Sequence, residues 1–309
     1  MTKFGHLLLA LLLGTVAAQS ALVDRFGDLV KADGARSAML PTSGVRITYL
    51  GTNAYLLESR RATILVDPYF SRMSLLRCAL KLHTAPREDL VRQWLAEAPP
   101  LDGILVTHGH VDHLFDVPQI LRQTGAPLYA SERSVEIVAS IKIPRGQLHV
   151  VHPGDIRRIG GATVHFLRAT HDRVLGRVPF PDPPRHLPPR NVDDWTVGEP
   201  LAFLVEIGGK RIYMNSGSLP NDLPPANLGR IDLAIIGVAT PDAVRALPGA
   251  LERLRPALLL PSHQDDFFQP LKAGFRFLAG SNFPQVRRLA EERRQPLILL
   301  DYFQPWTLR

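Results

Sequence analysis

Four side chains with metal-binding chemistry follow one short apolar segment. Residues 104–106 are apolar and predict a buried strand, and His108, His110, Asp112 and His113 come directly after them. Imidazole nitrogen and carboxylate oxygen are ligands that suit zinc, iron or manganese. Because a turn leaving a strand can direct alternate side chains to one point, we expect His108 and His110 to share a metal ion, with Asp112 and His113 facing a neighbouring site. A histidine-rich surface loop is the alternative, but the spacing after a buried strand favours a metal site.

The eight residues 107–114, THGHVDHL, resemble the HxHxDH signature of the metallo-β-lactamase-fold hydrolase superfamily. The resemblance implies an α/β fold, a four-layered αββα sandwich of mixed sheets that holds its metal ions at one edge. It also implies that His108 and His110 share the first metal with a later histidine, and that Asp112 and His113 share the second metal with a last histidine. The implied cofactor is one or two zinc ions, with iron or manganese as alternatives.

Two later histidines occupy the places that the resemblance requires. His171 follows a predicted strand at the place of the third ligand of the first metal, and His263 follows another at the place of the last ligand of the second. His165 lies inside the strand before His171 and is predicted to be a sheet residue. Asp67 ends an early predicted strand, where it either caps a turn or, as the resemblance implies, braces a metal ligand.

The chain departs from the family pattern at one ligand. The family places an Asp that bridges two metals in a motif such as Y-x-x-G-D-T, whereas residues 213–218 of this chain read YMNSGS. No carboxylate occupies the position near Ser216 and Gly217 in any register. We therefore expect the second metal to bind more weakly, or to depend on a water molecule, a serine hydroxyl or another acid such as Asp222.

The predicted function is metal-dependent hydrolysis of a small-molecule or lipid-like substrate, namely an ester, phosphodiester, lactone or amide. A bound metal lowers the pKa of its water from 15.7 to about 7, and Asp112 is the candidate catalytic residue that orients the hydroxide. The sequence HQDDF at residues 263–267 resembles relatives of the phospholipase-D-like N-acyl-phosphatidylethanolamine hydrolases. Two alternatives stay open. One is a mononuclear iron oxidoreductase on the same fold, resembling persulfide dioxygenases, and the other is a non-catalytic exported metal-binding protein.

The composition limits the partners of the protein. The 309 residues carry a formal charge of +7, but the arginines are scattered and form no basic stripe with interleaved aromatics, so we expect no nucleic-acid partner. The single cysteine, Cys78, excludes an internal disulfide framework and is predicted to be a packed thiol on an amphipathic helix. The sequence indicates no particular oligomeric state.

Residues 1–20 have the features of a signal peptide. Lys3 provides a positive charge, residues 7–16 form an apolar core, and small residues follow. We expect export to the periplasm or the medium, with an uncleaved N-terminal membrane anchor as the alternative. The apolar core is too short for a stable membrane span. The expected organisation is this signal peptide, a lead-in over residues 21–43 and one metallo-β-lactamase-like domain over residues 44–309.

The elements that position these residues alternate between strands and helices, which indicates a layered α/β fold. Short strands are predicted over residues 45–50, 54–58 and 62–66, and a hairpin is predicted over residues 201–207 and 210–215.

A proline-rich segment, residues 175–200, follows His171. Its prolines prevent regular structure but stiffen a loop, so we expect it to wall the site, and a disordered excursion is the alternative. A last strand over residues 297–301 is expected to close the sheet.

Overall fold

The computed structural model describes residues 22–34, 39–217 and 227–309. The predicted signal peptide over residues 1–20 and the candidate acid Asp222 lie outside the described residues.

The described residues contain strands and helices in alternation. The strands are, in chain order, β1 (Val45–Gly51), β2 (Ala54–Ser59), β3 (Ala62–Val66), β4 (Gly103–Leu105), β5 (Leu128–Ala130), β6 (Leu148–Val150), β7 (Ile156–Ile159), β8 (Ala162–Arg168), β9 (Leu201–Ile207), β10 (Lys210–Asn215), β11 (Leu233–Gly237), β12 (Leu258–Ser262) and β13 (Pro305–Leu308). The α-helices are α1 (Leu22–Phe26), α2 (Leu75–Ala79), α3 (Glu88–Leu95), α4 (Val111–Leu114), α5 (Val117–Thr124), α6 (Glu132–Ser140), α7 (Pro241–Leu254) and α8 (Phe283–Glu292). None of these helices, all within the described ranges, has the length and apolar character that crossing a membrane requires.

The strands form two mixed sheets. The first has the order β13-β1-β2-β3-β4-β5-β6, and the second has the order β12-β11-β10-β9-β8-β7. Strands β1 to β3, which correspond to the three short strands predicted from the sequence, form an antiparallel meander, and β3 to β6 continue the first sheet in parallel. In the second sheet β7 to β10 are antiparallel and β10 to β12 are parallel. The hairpin of β9 and β10 has the bounds predicted from the sequence.

The two faces of the first sheet enter different apolar cores, because successive side chains of a strand point to opposite sides. Leu57 lies in the central core with Val164 and Phe203 of the second sheet. Leu56, one position earlier, lies in an outer core with Val91 of α3 and the other helices that follow β3. On the far side α7 packs on β11 and against α8. The predicted four-layered αββα sandwich is confirmed.

The end of the chain differs from the prediction, and the expected closing strand over residues 297–301 is wrong. Leu297 makes a single bridge to Leu259 of β12, and Leu299 makes one to Val30. Because this apolar run passes from β12 towards the first sheet, it meets each neighbour at one position and forms no ladder. The first sheet is instead completed by β13, which pairs antiparallel with β1.

Candidate metal centre

The predicted ligands lie together at one edge of the sandwich, where several strands end. The loop after β4 carries four of them, and β8 and β12 each lead to one more. Their ligand atoms form two groups, and within each group these atoms lie within 4.8 Å of one another. The first group is His108, His110 and His171, and the second group is Asp112, His113 and His263.

The first group has the spacing and the protonation that a metal ion requires. His108 Nε2 lies 3.0 Å from His110 Nδ1. Two nitrogens on one tetrahedral zinc lie roughly 3.3 Å apart, since zinc–nitrogen bonds are about 2.0–2.1 Å long. Burial, followed by the positive charge of neighbouring histidines, holds the pKa of His108 and of His110 well below the usual range. Burial likewise lowers the pKa of His171. These imidazoles are therefore neutral at neutral pH and keep their lone pairs.

Hydrogen bonds on the outer side fix the orientation of two of these rings. His110 Nε2 lies 3.0 Å from the carbonyl oxygen of Pro179, and His171 Nδ1 lies 2.7 Å from the carbonyl oxygen of Asp172. A carbonyl oxygen only accepts, so these ring nitrogens are the protonated donors. The opposite nitrogens, His110 Nδ1 and His171 Nε2, are then free to bind a metal.

The second group combines one carboxylate with two imidazoles. His263 Nε2 lies 3.1 Å from His113 Nε2 and 3.1 Å from Asp112 Oδ2. Burial opposes the charge of Asp112, but His113 and His263 outweigh it and hold the pKa of this carboxyl well below its usual range. Burial also opposes the charge of His113, but the carboxylates of Asp112 and Asp67 raise the pKa of His113 to about 10. Asp112 is therefore ionised at neutral pH and supplies negative charge to a cation.

Asp67 braces the metal loop from behind, which is the second of the two roles left open by the sequence. Its Oδ2 atom accepts hydrogen bonds from His113 Nδ1 at 2.9 Å and from Asn53 Nδ2 at 2.8 Å. Its Oδ1 atom accepts from the backbone N–H of Thr107 at 2.8 Å. The bond to His113 holds a proton on Nδ1. Nε2, which faces the second group, would have to lose its own proton before it could bind a metal.

A buried network that the sequence did not reveal holds His263. The backbone of His263 has a φ of 56°, and its N–H donates to the carbonyl oxygen of Thr52 at 2.8 Å. The N–H of Thr52 donates to Asp265 Oδ1 at 2.9 Å, and Asp265 also accepts from Arg72 at 2.8 Å and from Tyr49 at 2.9 Å. Because these partners lie on distant parts of the chain, no local pattern connects them.

The position of the missing bridge is occupied by small and uncharged residues. Ser216 Oγ lies 3.4 Å from His108 Nδ1, and Thr107 Oγ1 lies 3.2 Å from the same nitrogen. A Cβ atom at Gly217 would lie 3.3 Å from the carboxyl carbon of Asp172. Within the described residues, which leave out 218–226, no carboxylate takes part in both ligand groups.

The proline-rich segment is folded against the first group. In addition to the contact of Pro179, the ring centroid of Phe180 lies 5.7 Å from that of His110. The N–H of Gly109, between the first two ligands, donates to the carbonyl oxygen of Val197 at 3.1 Å. The segment therefore forms a wall beside the centre, and the disordered alternative does not describe it.

Two other candidate residues lie outside the ligand groups. His165 lies on β8, where its Nε2 atom is 3.5 Å from Glu206 of β9, as expected for a sheet residue. Cys78 is a free cysteine packed in the outer core. Neither side chain belongs to a ligand group of the described residues.

An αββα sandwich with a histidine and aspartate centre at one edge defines the class of metallo-β-lactamase-fold proteins. Residues 62–263 match the family model described as the beta-lactamase superfamily domain, and the chain belongs to this family.

Relatives and solved structures agree with this class. The chain is 27% identical over 235 residues to a UPF0173 metal-dependent hydrolase of Heliobacterium modesticaldum, covering 72% of this chain and 84% of the relative. Igni18, a metallo hydrolase from the archaeon Ignicoccus hospitalis, superimposes with a TM-score of 0.59 at 17% identity, covering 86% of this chain and 99% of that chain. CmlA, a diiron beta-hydroxylase from Streptomyces venezuelae, superimposes with a TM-score of 0.56 at 16% identity, covering 93% of this chain and 59% of that chain. At these identities the solved structures share the fold.

Proposed function

We propose that this chain is a metal-dependent hydrolase that cleaves an ester, phosphodiester, lactone or amide bond in a small-molecule or lipid-like substrate. One observation carries the proposal. Three neutral imidazoles, two buried and one half-buried, converge on one point, and two of them are held from behind by carbonyl groups. The name of the Heliobacterium relative, a metal-dependent hydrolase, supports the same class.

Each residue of the centre has a proposed role. His108, His110 and His171 would hold the first metal, and Asp112, His113 and His263 would hold the second. A bound dication polarises a substrate oxygen and lowers the pKa of a water from 15.7 to about 7. The ionised carboxylate of Asp112 accepts a hydrogen bond from the attacking water and so orients its lone pair towards the substrate. Phe180 restricts the entry of bulk water beside His110.

We also propose that the two sites bind metal unequally. A bridging carboxylate would supply a ligand to each metal and offset the repulsion between two dications. Without it each site keeps three side-chain ligands, which are three histidines at the first site and Asp112, His113 and His263 at the second. Zinc is the expected metal, and iron or manganese accept the same nitrogen and oxygen ligands.

A substrate panel tests the hydrolase proposal. Chromogenic esters, phosphodiesters, lactones and amides are offered to the purified protein with zinc, after chelation, and after zinc is restored. We expect at least one class to be cleaved, with loss on chelation and recovery on restoration. Turnover that survives complete chelation would contradict the proposal.

A second candidate is an iron oxidoreductase, because a group of three ligands without a bridging acid can serve a single metal ion. The diiron beta-hydroxylase CmlA shares the fold. Metal analysis combined with oxygen consumption separates the two candidates. An iron-loaded protein that consumes oxygen and cleaves no substrate would replace the hydrolase, and a metal-loaded protein with neither activity would indicate an exported binding protein.

We propose that the protein is exported, on the basis of Lys3, the apolar residues 7–16 and the small residues that follow. Mass spectrometry of protein recovered from its native host is expected to show a mature N-terminus near Ala21. An intact Met1 in a cytosolic fraction would contradict export.

A further inference from the structure

Exposed leucines lie on α2 and on the turn after it. Leu76 and Leu80 are 64% and 60% exposed, and Leu82 is 42% exposed. Leu76 and Leu80 are four positions apart and therefore share one face of the helix. Cys78, between them in sequence, points the other way and is packed in the outer core. Leucines grouped on an exposed face indicate a surface that contacts a partner.

The proline-rich segment adds to this surface. The N–H of Thr84 donates to the carbonyl oxygen of Arg190 at 3.1 Å, and Lys81 forms an ion pair with Asp193. These contacts hold the proline-rich segment against the turn after α2, and Leu187, three positions before Arg190, is 40% exposed. Of the nine large apolar side chains exposed among the described residues, five lie in these two segments, because Leu175 at the start of the proline-rich segment is also exposed.

Basic side chains outnumber acidic ones around the leucines, where Asp193 is paired with Lys81. Residues 71–87 and 183–190 contain no Asp or Glu. Three exposed arginines, Arg77, Arg185 and Arg190, form no ion pair with any carboxylate in the part of the chain that the structure describes. We call this surface the leucine–arginine rim, and it consists of Leu76, Leu80, Leu82, Leu187, Arg77, Arg185 and Arg190.

This combination of side chains matches the surface of an anionic bilayer. Leucines enter the boundary between headgroups and acyl chains, and arginines bind the lipid phosphates. A protein partner would need hydrogen-bond acceptors at fixed positions opposite the three guanidinium groups. Lipid phosphates diffuse within the bilayer and adjust to them.

The proline-rich segment connects the rim to the metal centre along the chain. Phe180, in the proline-rich segment that carries Leu187, contacts His110. The wall beside the centre and Leu187 of the rim therefore belong to one segment of the chain.

We propose that the leucine–arginine rim docks the protein on the surface of an anionic lipid bilayer. The contact is peripheral and involves no membrane span. It is measured without substrate turnover, so its success or failure is independent of the hydrolase proposal.

Vesicle binding of the full mature chain tests the proposal. Binding is compared between phosphatidylcholine vesicles and vesicles that also contain phosphatidylglycerol, by co-sedimentation at low and high salt. We expect binding to the anionic vesicles only, and weaker binding as salt screens the arginines. One arginine near an anionic bilayer raises the binding constant about fivefold. The double variant Arg185→Ser with Arg190→Ser is therefore expected to weaken binding roughly thirtyfold. Leu76→Ser with Leu80→Ser is expected to weaken it on the order of tenfold.

Two matched controls lie on other surfaces. Ile156 on β7 is 55% exposed, and Arg288 on α8 is exposed without an ion pair in the described residues. Ile156→Ser and Arg288→Ser are expected to bind like the unaltered protein, and thermal melting checks that every variant is folded. Equal binding to neutral vesicles, no vesicle binding, or equal losses in the controls would overturn the proposal. A dimer in sedimentation equilibrium that dissociates on Leu76→Ser with Leu80→Ser would assign the rim to contact between copies instead.

Discussion

Replacing Asp67 with Asn is expected to weaken the second ligand group selectively. Asp67 Oδ2 accepts from His113 Nδ1, Asn53 Nδ2 and Thr107 Oγ1 at 2.9, 2.8 and 2.7 Å, and Oδ1 accepts from Thr107 N at 2.8 Å. An Asn that keeps its oxygen in the Oδ2 position turns its NH2 group towards the N–H of Thr107. One buried donor is then unsatisfied, which costs about 1–3 kcal/mol of folding free energy, and the bond to His113 loses its charge.

The effect on metal binding follows from the same bonds. Loss of a hydrogen-bond partner behind a metal ligand typically reduces affinity by about 10–100-fold. We expect that loss at the site of His113, and little change at the site of His108, whose Nδ1 atom contacts Thr107 and Ser216 instead. Calorimetric titration of the metal-free protein with zinc separates the two binding events.

A control for this variant lies at the opposite end of β3, the strand that Asp67 follows. Asp102 Oδ2 accepts from the backbone N–H of Thr63, where β3 begins, at 2.7 Å. Asp102 is exposed, so Asp102→Asn is expected to cost less stability and to leave both zinc affinities unchanged. Unaltered second-site affinity in Asp67→Asn, or an equal loss in Asp102→Asn, would refute the role assigned to Asp67.

Other variants test the ligand assignment and the buried carboxyl behind the metal loop. His110→Ala is expected to lose metal and turnover, whereas His165→Ala keeps both and loses about 1 kcal/mol of stability, as metal analysis and unfolding would measure. Retention of metal in His110→Ala with its loss in His165→Ala would reverse the assignment. Burial raises the pKa of Asp116 from 3.8 to about 6. Because the folded pKa exceeds the unfolded value, the stabilising contribution of this carboxyl is complete below pH 3.8 and is lost as the pH rises through about 6. Asp116→Asn is expected to remove roughly 3 kcal/mol of the change in unfolding free energy between pH 3.8 and about pH 6, as urea unfolding at several pH values would measure. The same pH dependence in the variant and in the unaltered protein would contradict the raised pKa of Asp116.

The ligand positions could be predicted because each is a local pattern. His108 and His110 follow a buried apolar strand directly, and His171 and His263 repeat the arrangement of a strand followed by a histidine. Strand ends that meet at one edge of a sandwich bring such residues together. The hairpin of β9 and β10 was equally local, because its two glycines separate two apolar strands.

The supports of these ligands could not be predicted, because they depend on contacts between distant segments. Arg72 and Asp265 are 193 positions apart, and Tyr49 and Asp265 are 216 apart. The carbonyl of Pro179 is a backbone group, so the sequence carries no sign of its bond to His110. The run over residues 297–301 has the composition of a strand, but its pairing is decided by the neighbours that the fold supplies.

Metal analysis of the purified protein tests the central proposal most directly. After dialysis we expect about one metal ion per chain, a second recruited only at higher metal concentration, and turnover that is lost on chelation and restored by zinc. His110→Ala, measured in parallel, is expected to retain no tightly bound metal. Two equally tight ions would show that another residue replaces the missing bridge near Ser216, and a folded protein that binds no metal would contradict the metal centre itself.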